Sequence, residues 1–312
     1  MRDDGSMRLQ VGDVRLFFDT EGSILVPDGA SMARRQTLIL LHGGPGADHS
    51  LFKPEFSAMT DTAFLVYLDQ RGSGRSDRSE PGLWTWQRWA DDVAAFCAAL
   101  DITDPILVGV SSGGMVAMHC AIRHSQLVAG LVLDSTLGVP TTLDETIGVF
   151  SRRGGPEVAE AARRYLGGDT SLEATQDWQR LCLKLYGDPE SQNDLSERLA
   201  RCLVNDEVQQ HFRRGGCGPA ELTSAEFAAI KCPTLVLAGE HDPVSPAAAA
   251  ERLGSYIRHA RIRVVPQVGH GVCRQAPRQA FVHLRAFLDV CSMMRGEVPD
   301  LLDTVNPSRV SA

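Results

Sequence analysis

The stretch Ile106–Met118, with the sequence ILVGVSSGGMVAM, limits the possible folds of this chain more than any other feature. It begins as a short apolar run typical of a buried strand and ends as a run of small and apolar residues typical of a helix that packs closely on a sheet. Between the two, glycines stand two positions before and two positions after Ser111. This spacing predicts a sharp, strained turn that aims the serine oxygen away from the sheet, with Ser111 as a candidate nucleophile.

The first 138 residues alternate between short apolar runs and longer amphipathic stretches, as parallel strands connected by helices do. A hairpin is predicted over Arg8–Thr20, and helices are predicted over Trp86–Leu100 and Gly113–Ile122. Four almost wholly apolar runs predict strands that are buried on both faces: Thr37–Leu41, Phe64–Leu68, Ile106–Val110 and Leu131–Leu133. We therefore predict an α/β fold with a mostly parallel central sheet flanked by helices.

The pattern changes between residues 139 and 226, where strand-like runs give way to helical text rich in Arg, Glu and Ala. Strands and helices then alternate again, in the predicted order Thr234–Ala238, Pro246–Leu253, Ile262–Val265 and Pro277–Val290. We therefore predict one α/β core formed by residues 1–138 and 227–312, interrupted by a helical insertion over 139–226. Residues 294–312 contain two prolines and little periodicity, which predicts a loosely ordered tail.

A serine hydroxyl needs a base to take its proton, and the base needs a carboxylate that holds its tautomer. In the fold that carries such a turn, the acid and then the histidine follow the serine in chain order, each after a late strand. Asp242 follows the predicted strand Thr234–Ala238, and His270 follows Ile262–Val265. These two are the candidate acid and base, with Asp134, at the end of the run LVLD, as the alternative acid.

Acyl transfer also needs N–H donors aimed at the oxyanion of the tetrahedral intermediate. The residue after the nucleophile, Ser112, is the first candidate, through its backbone N–H. The second donor is expected in the loop after an early strand, where the sequence reads His-Gly-Gly-Pro-Gly from position 42, and we assign it to Gly44. His42 is expected to brace this loop rather than to react.

Composition excludes several classes of partner. The chain has 31 Lys and Arg against 39 Asp and Glu, a formal charge of −8, and no basic stripe that would follow a phosphate backbone. It has no uncharged apolar run of about 18 residues, and its N-terminal sequence lacks the apolar stretch of a signal peptide. We therefore predict no nucleic-acid partner, no membrane partner and a cytoplasmic location.

The eight cysteines are scattered through apolar runs, which predicts reduced and mostly buried thiols. The sequence contains no CxxC pair and no His-x3-His cluster. Because such clusters are the usual signature of a metal site, we predict neither a metal nor another cofactor.

Five motifs occur in one order along the chain: HGGPG at 42–46, DQRGSGRSD at 69–77, GVSSGG at 109–114, GEHDPVSP at 239–246 and GHG at 269–271. With these motifs the chain resembles the α/β-hydrolase superfamily over roughly residues 8–290. HGGPG and DQRGSGRS together resemble its proline iminopeptidase branch, whose members remove an N-terminal residue and carry a helical cap after the sixth strand. The resemblance implies that residues 139–226 form this cap and that Asp69 and Arg71 support the loops.

Two positions differ from the iminopeptidase pattern. That branch usually has tryptophan after the nucleophile, where this chain has Ser112. Its cap usually carries a tryptophan and a glutamate that meet the free amine of the substrate, whereas the nearest stretch here, DWQRLC at 177–182, ends without the acid. Four other acids are left as possible partners of an amine: Asp177, Asp188, Glu190 and Glu207.

These observations predict a serine hydrolase that acts through an acyl-enzyme on a small molecule or short peptide. Ser111 attacks, His270 shuttles the proton, and Asp242 orients His270. The substrate is left open between an N-terminal residue on a small peptide or amide, as in iminopeptidases, and a small neutral ester or lactone. The alternative from another class is a hydrolase-like protein that binds a ligand in the cap pocket with little turnover.

Overall fold

The computed structural model describes residues 7–136, 138–139, 142–187 and 195–294. Its strands are β1 (Arg8–Val11), β2 (Val14–Glu21), β3 (Leu25–Asp28), β4 (Ser31–Arg34), β5 (Gln36–Leu41), β6 (Ala63–Leu68), β7 (Ile106–Val110), β8 (Gly130–Asp134), β9 (Thr234–Gly239) and β10 (Ala260–Val265). Eight of them form one sheet in the order β1-β2-β6-β5-β7-β8-β9-β10, and β3 pairs with β4 in a separate hairpin.

The six strands from β5 to β10 are parallel to one another, and β2 is antiparallel to both β1 and β6. The predicted mostly parallel sheet is therefore confirmed, and each predicted strand matches an observed one to within two residues at either end. The predicted hairpin also forms, with Val11 paired to Val14 across its turn. Parallel strands require crossover connections, which explains why amphipathic stretches separate the apolar runs in the sequence.

The helices are α1 (Trp86–Ala99), α2 (Ser112–Arg123), α3 (Leu143–Gly154), α4 (Pro156–Leu166), α5 (Leu172–Asp177), α6 (Leu195–Arg201), α7 (Asp206–Arg213), α8 (Ser224–Ala229), α9 (Ala247–Tyr256), α10 (Val272–Gln275) and α11 (Pro277–Met294). Four of them, α1, α2, α9 and α11, correspond to helices predicted from the sequence. A π-helical turn continues α5 over Trp178–Cys182, and a 3-10 turn follows it over Leu183–Tyr186.

Helices cover both faces of the sheet because alternate side chains of each strand point to opposite sides. On β5, Ile39 and Leu41 pack in one buried cluster with Val93 of α1. Leu38 and Leu40 pack in a second cluster on the other face, with Leu284 of α11. The central strands therefore have no polar face, which is why they read as continuous apolar runs.

All the regular elements in the described part of the segment between β8 and β9 are helices, from α3 to α8, and turns or coil connect them. It enters after β8, the sixth strand of the main sheet in chain order. Part of it has a small core of its own, in which Phe150, Val158 and Trp178 are buried together. The predicted tail over 294–312 lies outside the described residues except for Met294, which ends α11.

The hairpin of β3 and β4 is the one pair of strands in the described residues that we did not predict. Each strand has only four residues, and Leu25 and Met32 are exposed on it, so neither strand shows the apolar run of a buried strand. Of the described helices, none is long and apolar enough to cross a bilayer.

Candidate active site

The turn predicted around Ser111 forms between β7 and α2. Ser111 has φ +54° and ψ −122°, a strained backbone conformation for a residue with a side chain. Glycine is required beside it, because a Cβ at Gly113 would lie 2.0 Å from the backbone oxygen of Leu41. A Cβ at Gly109 would lie 2.5 Å from the backbone oxygen of Gly113. The two glycines thus allow the strand and the helix to approach closely and leave the serine at the carboxyl end of the sheet.

Asp242 and His270 meet at the same end of the sheet. Asp242 follows β9 and His270 follows β10, and the imidazole Nδ1 lies 2.9 Å from one carboxylate oxygen of Asp242 and 3.1 Å from the other. Both residues are buried. A carboxylate only accepts hydrogen bonds, so Nδ1 is the donor and Nε2 is the ring nitrogen that can take a proton.

The Asp242 carboxylate is itself held in place by the turn that follows it. Its Oδ1 atom accepts the backbone N–H groups of Val244 and Ser245, each at 2.8 Å. These two bonds compensate for the burial of the charge and fix the carboxylate opposite the imidazole.

Asp134, the alternative acid, lies at the end of β8, but its carboxylate bonds to backbone N–H groups of the residues that follow His270. Its two carboxylate oxygens accept the backbone N–H groups of Val272 and Cys273, at 2.8 and 2.9 Å. The hydroxyl of Ser135 accepts the N–H of Gly271 at 2.8 Å. Burial raises the pKa of Asp134. Among the described residues, the carboxylate that accepts the hydrogen bond of the His270 ring is therefore that of Asp242. Asp134 anchors the loop that carries the ring.

The loop that contains Gly44 packs directly against the serine turn. A Cβ on its neighbour Gly43 would lie 2.7 Å from the backbone oxygen of Val110, so the two loops are in contact. Gly44 has φ +51°, in the left-handed region, and lines the same cavity as Ser111 and Ser112. Ser112 is the first residue of α2, and the first N–H groups of a helix have no acceptor within the helix.

His42 braces this loop, as expected. Its Nε2 accepts the backbone N–H of Gln70 at 3.2 Å, and the side-chain amide of Gln70 donates to the backbone oxygen of His42 at 2.8 Å. Burial lowers the pKa of His42, which favours the neutral ring that can accept this bond. The ring therefore holds two loops together.

Asp69 and Arg71 also support loops, as the resemblance implies. Asp69 accepts the ring Nδ1–H of His49 at 2.7 Å and the backbone N–H of Arg75 at 2.8 Å. The Arg71 guanidinium is fully buried and donates two bonds to Asp92, at 2.7 and 2.8 Å. Arg71 also bonds to Asp13 and lowers the pKa of that carboxyl to about 2. None of these side chains lines the cavity that contains Ser111.

A cavity of about 860 Å³ opens over Ser111 and His270. The helical segment supplies much of its wall, mainly through apolar and aromatic side chains such as Tyr165, Trp178 and Phe212. Pockets that bind small molecules are commonly of this size and this apolar character.

Tyr186, which we did not predict, connects the helical segment to the histidine. Its backbone oxygen accepts the N–H of His270 at 2.7 Å and the side-chain amide of Gln275 at 2.7 Å. Its ring meets the imidazole edge to face at 4.8 Å. No motif or spacing marks this tyrosine, because its role depends on how the segment folds back over the sheet.

Of the four acids proposed as partners of an amine, two lie within the described residues, and neither is in the cavity wall. Of the described residues, Asp177 and Glu207 do not line it, and Asp177 accepts a bond from Arg180 at 3.0 Å. Asp188 and Glu190 lie outside the described residues. The carboxylates that do line the described wall are those of Glu55, Asp134 and Asp206.

Glu55 was not predicted, and its charge is matched by Arg198. One nitrogen of the Arg198 guanidinium bonds to the Glu55 carboxylate at 2.7 Å, the second nitrogen bonds to the other oxygen, and both side chains are about 90% buried. Asp206, in the first turn of α7, is exposed at the wall. No group of three or more His, Cys, Asp or Glu in the described part of the chain could hold a metal ion.

Known proteins resemble this chain in sequence and in fold. The 2-hydroxymuconate semialdehyde hydrolase of Pseudomonas sp. (strain CF600) is 29% identical over 245 residues, which is 75% of this chain and 80% of that protein. A proline iminopeptidase of Lactiplantibacillus plantarum is 36% identical over 114 residues, 35% of this chain and 39% of that one. The solved structure of the proline iminopeptidase of Mycobacterium smegmatis has a TM-score of 0.73 at 20% identity and covers 93% of this chain and 99% of that one.

A family model also matches the chain. The model describes an alpha/beta hydrolase fold, and it matches residues 36–277, which include the serine turn, Asp242 and His270. The chain therefore belongs to the α/β-hydrolase fold family.

Proposed function

We propose that the chain is a serine hydrolase that cleaves a carboxylic ester through an acyl-enzyme on Ser111. The observation that carries the proposal is the hydrogen bond between the His270 imidazole and the Asp242 carboxylate. The imidazole lines the same cavity as Ser111, whose backbone is strained. The arrangement supplies a nucleophile, a base and an acid that orients the base, which are the three groups that such a reaction needs.

In the proposed reaction, the Ser111 oxygen attacks the carbonyl carbon of the ester while Nε2 of His270 takes the serine proton. The tetrahedral oxyanion is bound by the backbone N–H groups of Gly44 and Ser112. His270 then gives its proton to the departing alkoxide, and the C–O bond of the ester breaks. A water molecule, deprotonated by the same imidazole, attacks the acyl-enzyme and releases the acid, and the proton returns to Ser111.

The cavity favours an ester over a substrate with a free amine. An ammonium group needs a carboxylate to accompany it into an apolar cavity. Of the three carboxylates on the described wall, Glu55 is paired with Arg198, and Asp134 is bonded to backbone N–H groups. Two of the three are thus committed to other partners, whereas an ester carbonyl needs only the two N–H donors.

A second candidate function is the release of an N-terminal residue from a small peptide or amide. Asp206 favours it, since this exposed carboxylate on the cavity wall is suited to meet an amine. The partial sequence likeness to the iminopeptidase of L. plantarum is in keeping with this reading. We propose in either case that residues 139–226 act as a cap over the core formed by 1–138 and 227–312.

Three chromogenic substrates, one ester and two amides, test these functions. Hydrolysis of 4-nitrophenyl butyrate and of the 4-nitroanilides of alanine and proline is measured for the wild type, for Ser111→Ala and for Ser255→Ala, which removes an exposed serine on α9 as a control. Ester cleavage that is lost in Ser111→Ala alone supports the first function. Anilide cleavage that disappears when the substrate amine is acetylated supports the second. The absence of any turnover, together with no labelling by a fluorophosphonate, would contradict both and favour a ligand-binding protein.

A further inference from the structure

Arg213, the last residue of α7, lines the cavity but has no charged partner in the described part of the chain. Its guanidinium lies 3.8 Å from the centre of the Tyr165 ring. One terminal nitrogen, Nη1, donates to the hydroxyl of Thr175 at 3.2 Å. The other two nitrogens, Nε and Nη2, are shielded from solvent and have no hydrogen-bond partner among the described residues. A guanidinium stays protonated, so the protein keeps an uncompensated positive charge at this wall.

The two unsatisfied nitrogens form the edge of the guanidinium that matches a carboxylate. Nε and Nη2 point their N–H groups in the same direction, and a carboxylate accepts both in a pair of parallel bonds. Arg198, which pairs with the cavity-lining residue Glu55, shows the contrasting case, because its terminal nitrogens are already bonded to that carboxylate. Stacking on an aromatic ring stabilises the Arg213 cation but supplies no negative charge.

Asp206 is too far along the helix to serve as the missing partner. It lies in the first turn of α7, seven residues before Arg213, which is about 10 Å along the helix axis. Burial of a charge without a partner is costly, so the arrangement is unfavourable unless another molecule brings a negative charge. At the C-terminal end of α7, the described part of the protein thus leaves two N–H donors of a cation without an acceptor.

A continuous line of aromatic contacts connects this site to the candidate base. Tyr165 stacks on Trp178 at 4.4 Å between ring centres, and Trp178 meets Tyr186 edge to face at 6.0 Å. Tyr186 in turn meets His270 at 4.8 Å. These aromatic residues line one cavity together with Arg213 and His270, so a single elongated molecule can contact both ends of the line.

We propose that Arg213 binds a carboxylate at the end of the substrate remote from the scissile ester, so that the substrates are monoesters of dicarboxylic acids. This inference rests on the proposed ester hydrolysis at Ser111 and specifies its substrate class. The side chain has four rotatable bonds, which let it turn its shielded edge toward the incoming carboxylate. The rest of the substrate lies along the apolar aromatic wall.

Binding is tested without turnover in the full chain carrying Ser111→Ala. Isothermal titration calorimetry measures two probes, monomethyl glutarate, which carries a carboxylate, and dimethyl glutarate, which does not. Each probe is titrated into the Ser111→Ala protein, into the same protein with Arg213→Gln, and into a control with Arg214→Gln. The control removes the same charge from an exposed neighbour outside the cavity wall.

The proposal predicts that Arg213→Gln weakens binding of the monoester by at least about tenfold, as expected for a lost charge-assisted bond. Binding of the diester is unchanged, and Arg214→Gln affects neither probe. Equal binding of the monoester with and without Arg213, or no binding to any of the proteins, would overturn the proposal. Should Arg213→Gln fail to fold, Arg213→Lys replaces it, since lysine keeps the charge but loses the paired bonds, and severalfold weaker binding is expected.

Turnover then separates this inference from the proposed function. With Ser111 intact, kcat/KM is measured for 4-nitrophenyl hemiglutarate and 4-nitrophenyl butyrate. A preference for the hemiglutarate that Arg213→Gln abolishes supports both. Cleavage of both esters with no effect of Arg213→Gln overturns the carboxylate site alone. Arg213-dependent binding of monomethyl glutarate without any ester cleavage overturns the proposed ester hydrolysis and leaves the anion site supported.

Discussion

Substitution of Asp134 and of Asp242 by asparagine distinguishes the two acids that compete for the catalytic role. In the wild type, the Asp134 carboxylate accepts the backbone N–H groups of Val272 and Cys273. Asp134→Asn keeps one acceptor oxygen but places an NH2 group against one of these two N–H groups. The loss of a bond to a charged acceptor costs about 1.5–3 kcal/mol. Burial raises the pKa of the Asp134 carboxyl, which means that its charged form is disfavoured there. Because the substitution removes this charge, we expect the free energy of unfolding to fall by only about 1.5–2 kcal/mol.

For a domain of roughly 250 residues, this cost lowers the Tm by about 3–8 °C. The His270 ring keeps its bond to Asp242 in this variant, so we expect kcat to fall by no more than about tenfold. Asp242→Asn should behave in the opposite way. Its remaining oxygen can still accept the backbone N–H groups of Val244 and Ser245, so the Tm changes little. Its NH2 group faces Nδ1 and selects the wrong tautomer, which lowers kcat roughly 10⁴-fold.

The assay is calorimetric melting of the wild type and both variants, together with kcat for 4-nitrophenyl butyrate. The expected result is one variant that loses stability and retains most of its activity, and one that does the reverse. A roughly 10⁴-fold loss of kcat in Asp134→Asn with an unchanged Tm, combined with an active Asp242→Asn, would refute the assignment and make Asp134 the orienting acid.

Three further predictions concern the core. Gly113→Ala places a methyl group 2.0 Å from a backbone oxygen of β5 and should lower the free energy of unfolding by about 1–3 kcal/mol or more. Gly82→Ala is the control, because a Cβ there meets nothing within 4 Å, and its free energy of unfolding should change little. Equal urea midpoints of the two variants would contradict this prediction. Arg71→Met leaves the buried Asp92 with only its longer ion pair to Arg88, at 3.5 Å, and should lower the free energy of unfolding by about 3–5 kcal/mol in urea titrations. Burial lowers the pKa of His119 below 6.5, so the unfolded chain binds the proton first, and stability falls as the pH drops below about 6.5. The Tm of His119→Gln should therefore fall less than that of the wild type between about pH 7.5 and pH 5, and parallel curves would contradict this.

The sheet could be predicted from the sequence because its strands are buried on both faces. β5, β7 and β8 are apolar over most of their length, and a short run of this kind is typical of a strand that is buried on both faces. The serine turn was equally predictable, since the contacts that a Cβ would make at Gly109 and Gly113 leave no room for another residue type. In both cases the physical constraint is local and therefore visible in the local sequence.

The cavity wall could not be predicted, because its residues depend on contacts between distant parts of the chain. Tyr186 meets His270 across 84 residues of sequence, and Arg213 stacks on Tyr165 from another helix. Glu55 was missed for the same reason, since it pairs with Arg198 at a separation of 143 residues. The sequence marked the helical segment as different from the core, but nothing in its periodicity indicated which side chains face the serine.

The order of residues along the chain favours Asp242 over Asp134 as the acid but does not decide between them. Both acids end or follow a strand of the same sheet, so both lie near its carboxyl edge, and order along the chain only favoured Asp242. The hydrogen bonds distinguish them, because Asp242 bonds to the imidazole and Asp134 bonds to the backbone that follows it. A difference of this kind depends on side-chain orientation and has no counterpart in the sequence.

Intact-mass measurement after reaction with a fluorophosphonate shows whether Ser111 is the nucleophile. We expect a single covalent adduct on the wild-type protein, which peptide mapping places on Ser111, and no adduct on Ser111→Ala under the same conditions. An adduct on another residue, or equal labelling of the wild type and Ser111→Ala, would contradict the claim that Ser111 is the nucleophile of this hydrolase.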